Sequence, residues 1–212
     1  KVVVDRSLVD EGYAMGKMHD TLRLAAAGVA VPRTLQTDDQ AAALTFAAEL
    51  GFPCVLKGTF GSLGRHVFLV NNEEECRARL ATEPAGHWQV QEWLPAEEDW
   101  RVLVVGGTAL PMLLKRRAPA GDFRTNVVGS TLIAAPVTDR PDVAALAERA
   151  ARTLRREFAG VDIRDRADGP VVLEVNRRPG FEFFEKETGL DAAGALLDYV
   201  GSLCAGRGNL LS

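Results

Sequence analysis

The chain contains few cysteines and no long hydrophobic run. Its three cysteines, Cys54, Cys76 and Cys204, are widely spaced and form no CxxC motif. This number and spacing favour neither a disulfide framework nor a zinc site, so we expect a reducing compartment, the cytoplasm. No apolar segment reaches the roughly 20 residues needed to cross a bilayer, and no signal peptide precedes the first predicted helix, so we expect no membrane partner.

The chain also lacks an excess of positive charge. Its 25 lysines and arginines are outnumbered by 29 aspartates and glutamates, which gives a formal net charge of −4. This balance argues against a nucleic-acid partner, because such proteins meet the phosphate backbone with a basic surface. A hydrophobic content of 47% is enough for a packed core, and 212 residues fit one large domain or two small lobes.

Helical and strand patterns alternate along the chain without an internal repeat, which predicts an α+β or α/β architecture. Helices are predicted over 16–28, over 38–50 with Asp38 as N-cap, over 72–81 with Asn72 as N-cap, over 141–157 and over 191–203. Strands are predicted over 29–35, 54–58, 66–70 and 88–94, with hairpins around Gly106 and Gly107 and around Asp168 and Gly169. The pattern changes near residue 95, where we expect a boundary between two lobes.

Two apolar segments with the character of β-strands carry acidic residues, Asp162 in AGVDI and Glu174 in VVLEVNRRPG. Asn176 follows Glu174 at the strand period of two and therefore shares its face. Carboxylate and amide oxygens with no His or Cys beside them suit a hard cation such as Mg²⁺, which commonly accompanies a nucleotide. From these residues alone, a hairpin whose acidic side chains face solvent is an equally open alternative.

A glycine-rich connection joins two predicted strands in KGTFGSLGRHVFLV. Lys57 ends the first strand, and Gly61 and Gly64 lie in the loop. Glycines allow backbone N–H groups to approach a phosphate closely, and the lysine adds positive charge. The loop leads into a strand, so it is neither a Walker A loop nor a Rossmann fingerprint, both of which lead into a helix. It predicts a phosphate cover, although an ordinary turn also explains it.

Six segments resemble the ATP-grasp ligases in their order and spacing. They are KGTFGSLGRHVFLV, VQEWL, the pair Asp99 and Arg101, RRAPAGDFRTN, AGVDI and LEVNRRPGFE. The similarity covers about residues 15–200 and is greatest to the RimK-like branch, which includes the ribosomal-protein glutamate ligase and the LysX-type enzymes.

The resemblance implies the ATP-grasp fold, in which two α+β lobes hold ATP between them. We expect an N-terminal helical segment over 1–30, a small lobe with the glycine-rich loop over 31–95 and a large lobe with the metal site over 96–212. The domain that usually precedes these lobes in the family is expected to be missing.

The resemblance also implies roles in nucleotide and metal binding. Contacts with the phosphates are implied for Lys17, Lys57, Gly61 and Gly64. Contacts with the base are implied for Glu92, Trp93 and Leu94, and contacts with the ribose for Asp99. Ligands of Mg²⁺, or of Mn²⁺, are implied to be Asp162, Glu174 and Asn176.

Three further residues, Arg116, Arg124 and Asn126, correspond to family positions that face the γ-phosphate and the acceptor site. Arg177 and Arg178 stand where small polar residues often follow the metal-binding asparagine. They are candidates for binding a substrate carboxylate, and two exposed arginines without a functional role are an equally open interpretation.

The activity that the resemblance implies is an ATP-dependent carboxylate–amine ligase. The acid would be phosphorylated to an acyl phosphate, which an amine then captures. We expect an amino acid, similar to glutamate, to be added to a peptide, protein or amino-acid acceptor. A nucleotide-binding module without ligase activity is the alternative, and a homo-oligomer is compatible with the family.

Overall fold

The computed structural model describes residues 17–58, 67–82, 88–95 and 98–208, so the predicted glycines of the phosphate cover, Gly61 and Gly64, lie outside the described residues. The helices are α1 Lys17–Ala26, α2 Gln40–Leu50, α3 Glu73–Thr82, α4 Pro141–Thr153, α5 Glu182–Thr188 and α6 Ala192–Gly208. The strands are β1 Thr34–Thr37, β2 Cys54–Gly58, β3 Val67–Val70, β4 Trp88–Glu92, β5 Glu98–Val105, β6 Thr108–Ala109, β7 Met112–Arg117, β8 Thr131–Pro136, β9 Phe158–Arg166 and β10 Gly169–Asn176. Among these residues no helix has the length and apolar character needed to span a bilayer.

A small antiparallel sheet has the strand order β1-β4-β2-β3, with α2 and α3 packed on one face. Cys54 and Leu56 of β2 are fully buried in the cluster beneath these helices. The strand period of two therefore directs Val55 and Lys57 to the opposite face. Both of these residues line a cavity. The small sheet thus buries one face in its own core and offers the other to a ligand.

A larger antiparallel sheet has the order β10-β9-β5-β7-β8, with β6 paired to β5. Helix α4 covers one face, where Val161 and Ile163 of β9 are fully buried. Alternation sends Asp162 and Arg164 to the other face. Part of that face is covered by α5 and α6, around the buried Phe184, and the remainder lines the same cavity as the small sheet.

Helix α1 precedes the small sheet in sequence but packs on the large one. Leu24 is buried in the core of the large sheet, and the Ala30 carbonyl accepts a hydrogen bond from the N–H of Val172 in β10 at 2.9 Å. Arg156 donates to both carboxylate oxygens of Asp20, at 2.9 and 2.8 Å. These contacts fix the start of α1 beside the end of β10.

The structure confirms most predicted elements and corrects several boundaries. The predicted cap Asp38 is wrong, because Asp39 is the N-cap of α2 and accepts a hydrogen bond from the Ala41 N–H at 2.8 Å. The cap Asn72 is confirmed, since its side chain accepts from Glu75 N–H at 2.9 Å. The first strand begins five residues later than predicted, and α4 ends at Thr153 instead of 157.

Two hairpins and the three cysteines were also considered in the sequence predictions. The hairpin at Gly106 and Gly107 is confirmed, and both glycines have positive φ, 60° and 85°, as the tight turn between β5 and β6 requires. The hairpin between β9 and β10 is confirmed. All three cysteines are free, and Cys54 and Cys76 are buried while Cys204 is exposed.

Candidate active site

A cavity of about 480 Å³ is lined by residues from both sheets and from α1. This volume is typical of a small-molecule or cofactor site. Thirteen of the sixteen predicted site residues line it: Lys17, Lys57, Glu92, Trp93, Leu94, Asp99, Arg116, Arg124, Asn126, Asp162, Glu174, Asn176 and Arg178. Arg177 is not among its lining residues, and Gly61 and Gly64 lie outside the described part of the chain.

The charge of the cavity is opposite to that of the chain. Its lining residues include seven cations, Lys17, Lys57, Arg101, Arg116, Arg124, Arg164 and Arg178. They also include four carboxylates, Glu92, Asp99, Asp162 and Glu174. A net positive cavity in a chain of net charge −4 concentrates anions, and a polyphosphate is the kind of ligand that needs so many cations.

Lys57 is oriented by a chain of hydrogen bonds across three strands. Its Nζ donates to Gln91 Oε1 at 2.6 Å, and Gln91 Nε2 donates to Thr34 Oγ1 at 3.0 Å. The amide holds the lysine without neutralising it. The pKa of Lys57 is lowered to about 8, mainly by burial; the nearby cations Lys17 and Arg164 contribute to this shift, and Glu174 opposes it. The charge of Lys57 is therefore easily changed by a ligand.

The predicted metal ligands meet where β9 and β10 pair. Asp162 and Glu174 are register partners, and Asn176 lies opposite Gly160. Asn176 Nδ2 is 3.4 Å from Asp162 Oδ2. Lys17 Nζ lies 3.8 Å from Glu174 Oε1. The large sheet thus brings Asp162, Glu174 and Asn176 to one corner of the cavity, the metal corner.

These side chains fit a hard divalent cation. Two carboxylates and an amide oxygen supply the donors that Mg²⁺ and Mn²⁺ prefer. In the described part of the chain, no group of three or more His, Cys, Asp or Glu residues could hold a metal ion. Asn176 must therefore supply the third ligand beside Asp162 and Glu174. Asp162 already lies 2.6 Å from Arg101 Nε and 3.0 Å from Arg116 Nη2, and a cation would share its carboxylate with these arginines.

Arg116 links the metal corner to the predicted ribose residue. Its Nε donates to Asp99 Oδ1 at 2.7 Å, and its Nη2 contacts Asp162 as given above. Thr125 also donates its hydroxyl hydrogen bond to Asp99. Burial by itself would lower the pKa of Arg116, but Asp162 and Asp99 outweigh it and raise that pKa. Arg116 therefore stays charged between two buried carboxylates.

The predicted base-binding segment follows β4 directly. The backbone N–H of Arg33 donates to Glu92 Oε2 at 3.1 Å, which ties this segment to the start of β1. The Trp93 ring meets the Phe123 ring edge to face, with centroids 5.6 Å apart. The Leu94 carbonyl accepts from Arg164 Nη1 at 3.2 Å. These contacts hold residues 92–94 as one rigid edge of the cavity.

Arg124 and Arg178 are cavity-lining arginines, of which Arg124 is partly exposed and Arg178 exposed to solvent. Arg124 Nη2 donates to Asp122 Oδ2 at 2.7 Å, and hydrogen bonds from Arg124 lower the pKa of Asp122 to about 2. Arg178 is exposed and follows Asn176 at the end of β10. Cations at this position can meet an anionic group that enters from solvent.

The RimK-like ATP-grasp domain family matches residues 14–200 of the chain. The chain belongs to this family. The ribosomal protein bS6–L-glutamate ligase of Escherichia coli K12 is 33% identical over 204 residues, an alignment that covers 91% of this chain and 66% of that ligase. The family and the α+β ATP-grasp fold predicted from the six motifs are therefore confirmed.

Solved ATP-grasp structures share the fold over most of the chain. The ligase PsnB, in complex with a precursor variant, Mg and ADP, is 27% identical with a TM-score of 0.68, and 88% of this chain aligns with 58% of that one. A RimK domain ATP-grasp protein of Sphaerobacter thermophilus is 26% identical with a TM-score of 0.66, covering 87% of this chain and 66% of that one. This chain thus spans 58 to 66% of the length of these relatives.

Three polar residues of the ATP-grasp cleft were missed by sequence reasoning: Gln91, Thr125 and Arg164. Thr125 lies between two predicted residues, so the RTN triplet was a sufficient indication. Gln91 is a buried partner of Lys57, and its position next to Glu92 in VQEWL indicated only a strand. Arg164 follows Asp162 at the strand period of two, which was the available indication that it faces the cleft.

Proposed function

We propose that this chain forms the nucleotide-binding and catalytic part of an ATP-dependent carboxylate–amine ligase. The small lobe, 31–95, would supply Lys57 and the base-binding edge, and the large lobe, 96–212, the metal corner. The observation that carries this proposal is that one positively charged cavity unites Lys57 with Asp162, Glu174 and Asn176. The similarity to an L-glutamate ligase supports the class of reaction.

ATP would lie along the cavity from its base-binding edge to its metal corner. Glu92 and the backbone of Trp93 and Leu94 would bind the adenine, and Asp99 the ribose. Lys57 and Lys17 would bind the phosphates, since Lys57 lines the cavity from the small sheet and Lys17 from helix α1, and both carry the positive charge that a polyphosphate needs. Asp162, Glu174 and Asn176 would hold Mg²⁺ or Mn²⁺, which neutralises phosphate charge during transfer.

The reaction would proceed in two transfers. A carboxylate oxygen of the acid attacks the γ-phosphorus of ATP, the bond to the β-phosphate oxygen breaks, and ADP leaves. An amine then attacks the acyl carbon, loses a proton, and releases inorganic phosphate as the amide forms. Arg116 and Arg124 would stabilise the negative charge on the transferred phosphoryl group, with Asn126 beside them, because fixed donors cost no reorganisation during the reaction.

The acid substrate would be an amino acid similar to glutamate, and the acceptor a peptide, a protein or another amino acid. Arg178 lines the cavity beside the metal corner and could bind a substrate carboxylate, while Arg177 would act from outside the lining. One named relative is a ligase for a ribosomal protein, and another was solved with a precursor, so a polypeptide acceptor is favoured. The three free cysteines support a cytoplasmic location.

The test is ATP-dependent phosphate release with pools of amino acids, with and without peptide acceptors. Glu174→Ala is expected to lower the rate on the order of 100-fold or more while the protein stays folded, because phosphoryl transfer depends on metal-neutralised charge. Glu187→Ala is the matched control, since Glu187 is exposed on α5 and outside the cavity lining. Unchanged turnover in Glu174→Ala contradicts the metal assignment. Release at background with every pool favours a nucleotide-binding module without ligase activity.

A further inference from the structure

One cavity-lining side chain has no task in the proposed reaction. Arg164 extends from β9 on the same face as Asp162, and its side chain is only 7% exposed. Its ion-pair contact is long, with Nη2 3.9 Å from Asp99 Oδ2, and burial lowers its pKa. Within the described part of the chain, its Nε–H has no hydrogen-bond partner. Burying a guanidinium with so few partners is costly, so stability does not explain why an arginine stands here.

The contacts that Arg164 does make have a common feature. Its Nη1 donates to the Leu94 carbonyl at 3.2 Å, and its guanidinium carbon lies 5.4 Å from the centroid of the Trp93 ring. With Asp99, these are three of the four residues proposed to bind the base and the ribose. A planar cation suits such a place, because it can stack on an aromatic face while its fork donates to oxygens.

The next residue on this face of β9 makes a similar contact. Arg166 Nη1 lies 3.8 Å from Glu92 Oε2, and Glu92 is the fourth residue of the proposed nucleoside set. The strand β9 therefore runs behind residues 92–94 and presents an arginine to each end of that segment. Arg164 is the buried member of the two, and it joins the large sheet to the base-binding edge.

We propose that Arg164 is a positioning residue for the nucleoside half of ATP. It holds the Leu94 carbonyl, the Trp93 ring and the Asp99 carboxylate in the arrangement that receives base and ribose. This inference rests on the proposed use of ATP. A different role must be separated from it: Arg164 also lowers the pKa of Lys57, so it is near enough to attract phosphates by its charge alone.

The two roles predict different ligand dependence. Calorimetric titration of the full chain with Mg-AMPPNP and with Mg-tripolyphosphate compares a ligand that has a nucleoside with one that has only phosphates. In Arg164→Leu, the Kd for AMPPNP is expected to rise on the order of tenfold, as the loss of a charged hydrogen bond and a stacking contact implies. The Kd for tripolyphosphate is expected to change less than about twofold, because residues 92–94 take no part in binding it.

Arg140→Leu is the matched control. Arg140 also lies over a tryptophan ring, with its guanidinium carbon 5.3 Å from the Trp100 centroid, and pairs with Asp165, but it is outside the cavity lining. Its removal is expected to leave both affinities unchanged. If Arg164→Leu does not fold, Arg164→Lys replaces it, because lysine keeps the charge without the planar fork and is expected to weaken AMPPNP selectively.

Three outcomes overturn the inference: equal losses for both ligands, AMPPNP affinity unchanged in Arg164→Leu, or wild-type AMPPNP affinity in Arg164→Lys when that is the folded variant. None of these requires turnover, so a failure of the inference is distinct from a failure of the ligase proposal. Wild-type protein that binds neither ligand would contradict the proposed function itself.

Discussion

Nucleotide affinity is expected to depend on pH through Lys57. Burial lowers the pKa of this lysine from its ordinary value to about 8 in the free protein. About 90% of Lys57 is then charged at pH 7 and about 10% at pH 9, given a pKa of about 8. A bound polyphosphate favours the charged form and raises the pKa, so binding takes up protons above pH 8.

The direction of the effect follows from this proton uptake. Below about pH 7 Lys57 is almost fully charged in both the free and the bound protein, and its contribution to affinity is constant. Between about pH 8 and the higher pKa of the complex, affinity falls as pH rises, by at most about tenfold per pH unit for one proton. The ordinary lysine pKa lies near 10.4, so a window of about two pH units is accessible.

Calorimetry in two buffers of different ionisation enthalpy measures the proton uptake directly. Titration with Mg-AMPPNP at pH 9 is expected to show uptake approaching one proton in the wild type. Lys57→Arg is the control, because arginine keeps its charge throughout this range and removes the uptake that belongs to Lys57. Equal uptake in the two proteins, or none in the wild type, would refute the proposed environment of Lys57.

Two further predictions concern stability and reactivity. Arg156→Met is expected to destabilise the protein by about 3 kcal/mol in urea unfolding, because it leaves the carboxylate of Asp20 without its buried partner. Adding Asp20→Asn should recover part of the loss, and strictly additive effects would contradict the coupling. In thiol titration with an aromatic disulfide, the exposed Cys204 should react quickly. The buried Cys54 and Cys76 should react only after unfolding, and burial raises the pKa of Cys54 to about 12. More than one fast thiol would contradict the burial of these two cysteines.

The metal corner was accessible from sequence because strand alternation is a local rule. The period of two places Glu174 and Asn176 on one face whatever surrounds them, and Asp162 joins them because β9 and β10 are joined by a short hairpin. Lys57 was found by its position at the end of a strand that leads into the glycine-rich loop, and in the structure it lies on the face opposite the buried Leu56. The order of the six motifs then identified the family without knowledge of any contact.

The partners of these residues depended on tertiary packing and were not accessible. An arginine in an alternating strand predicts a side chain exposed to solvent. Arg164 is buried because residues 92–94 pack over it. The predicted N-cap of α2 was wrong for a related reason. Asp38 and Asp39 are adjacent acids that can both cap a helix, and only the backbone geometry selects Asp39. Helix α4 ends at Thr153 before Arg155 adopts a positive φ of 56°, and no glycine marks that end.

The position of α1 makes the small sheet an insertion within the large unit. The chain leaves the large unit after α1, forms the small sheet and returns to the large unit at β5. The segments that leave and return lie side by side, since the Glu92 N–H donates to the Arg33 carbonyl at 2.9 Å. During synthesis α1 emerges long before Arg156, its partner 136 residues later. The host unit therefore closes only after the insert has been made. Lys17 belongs to the host and Lys57 to the insert, so the two lysines proposed to bind the phosphates come together only when the host and the insert are both folded.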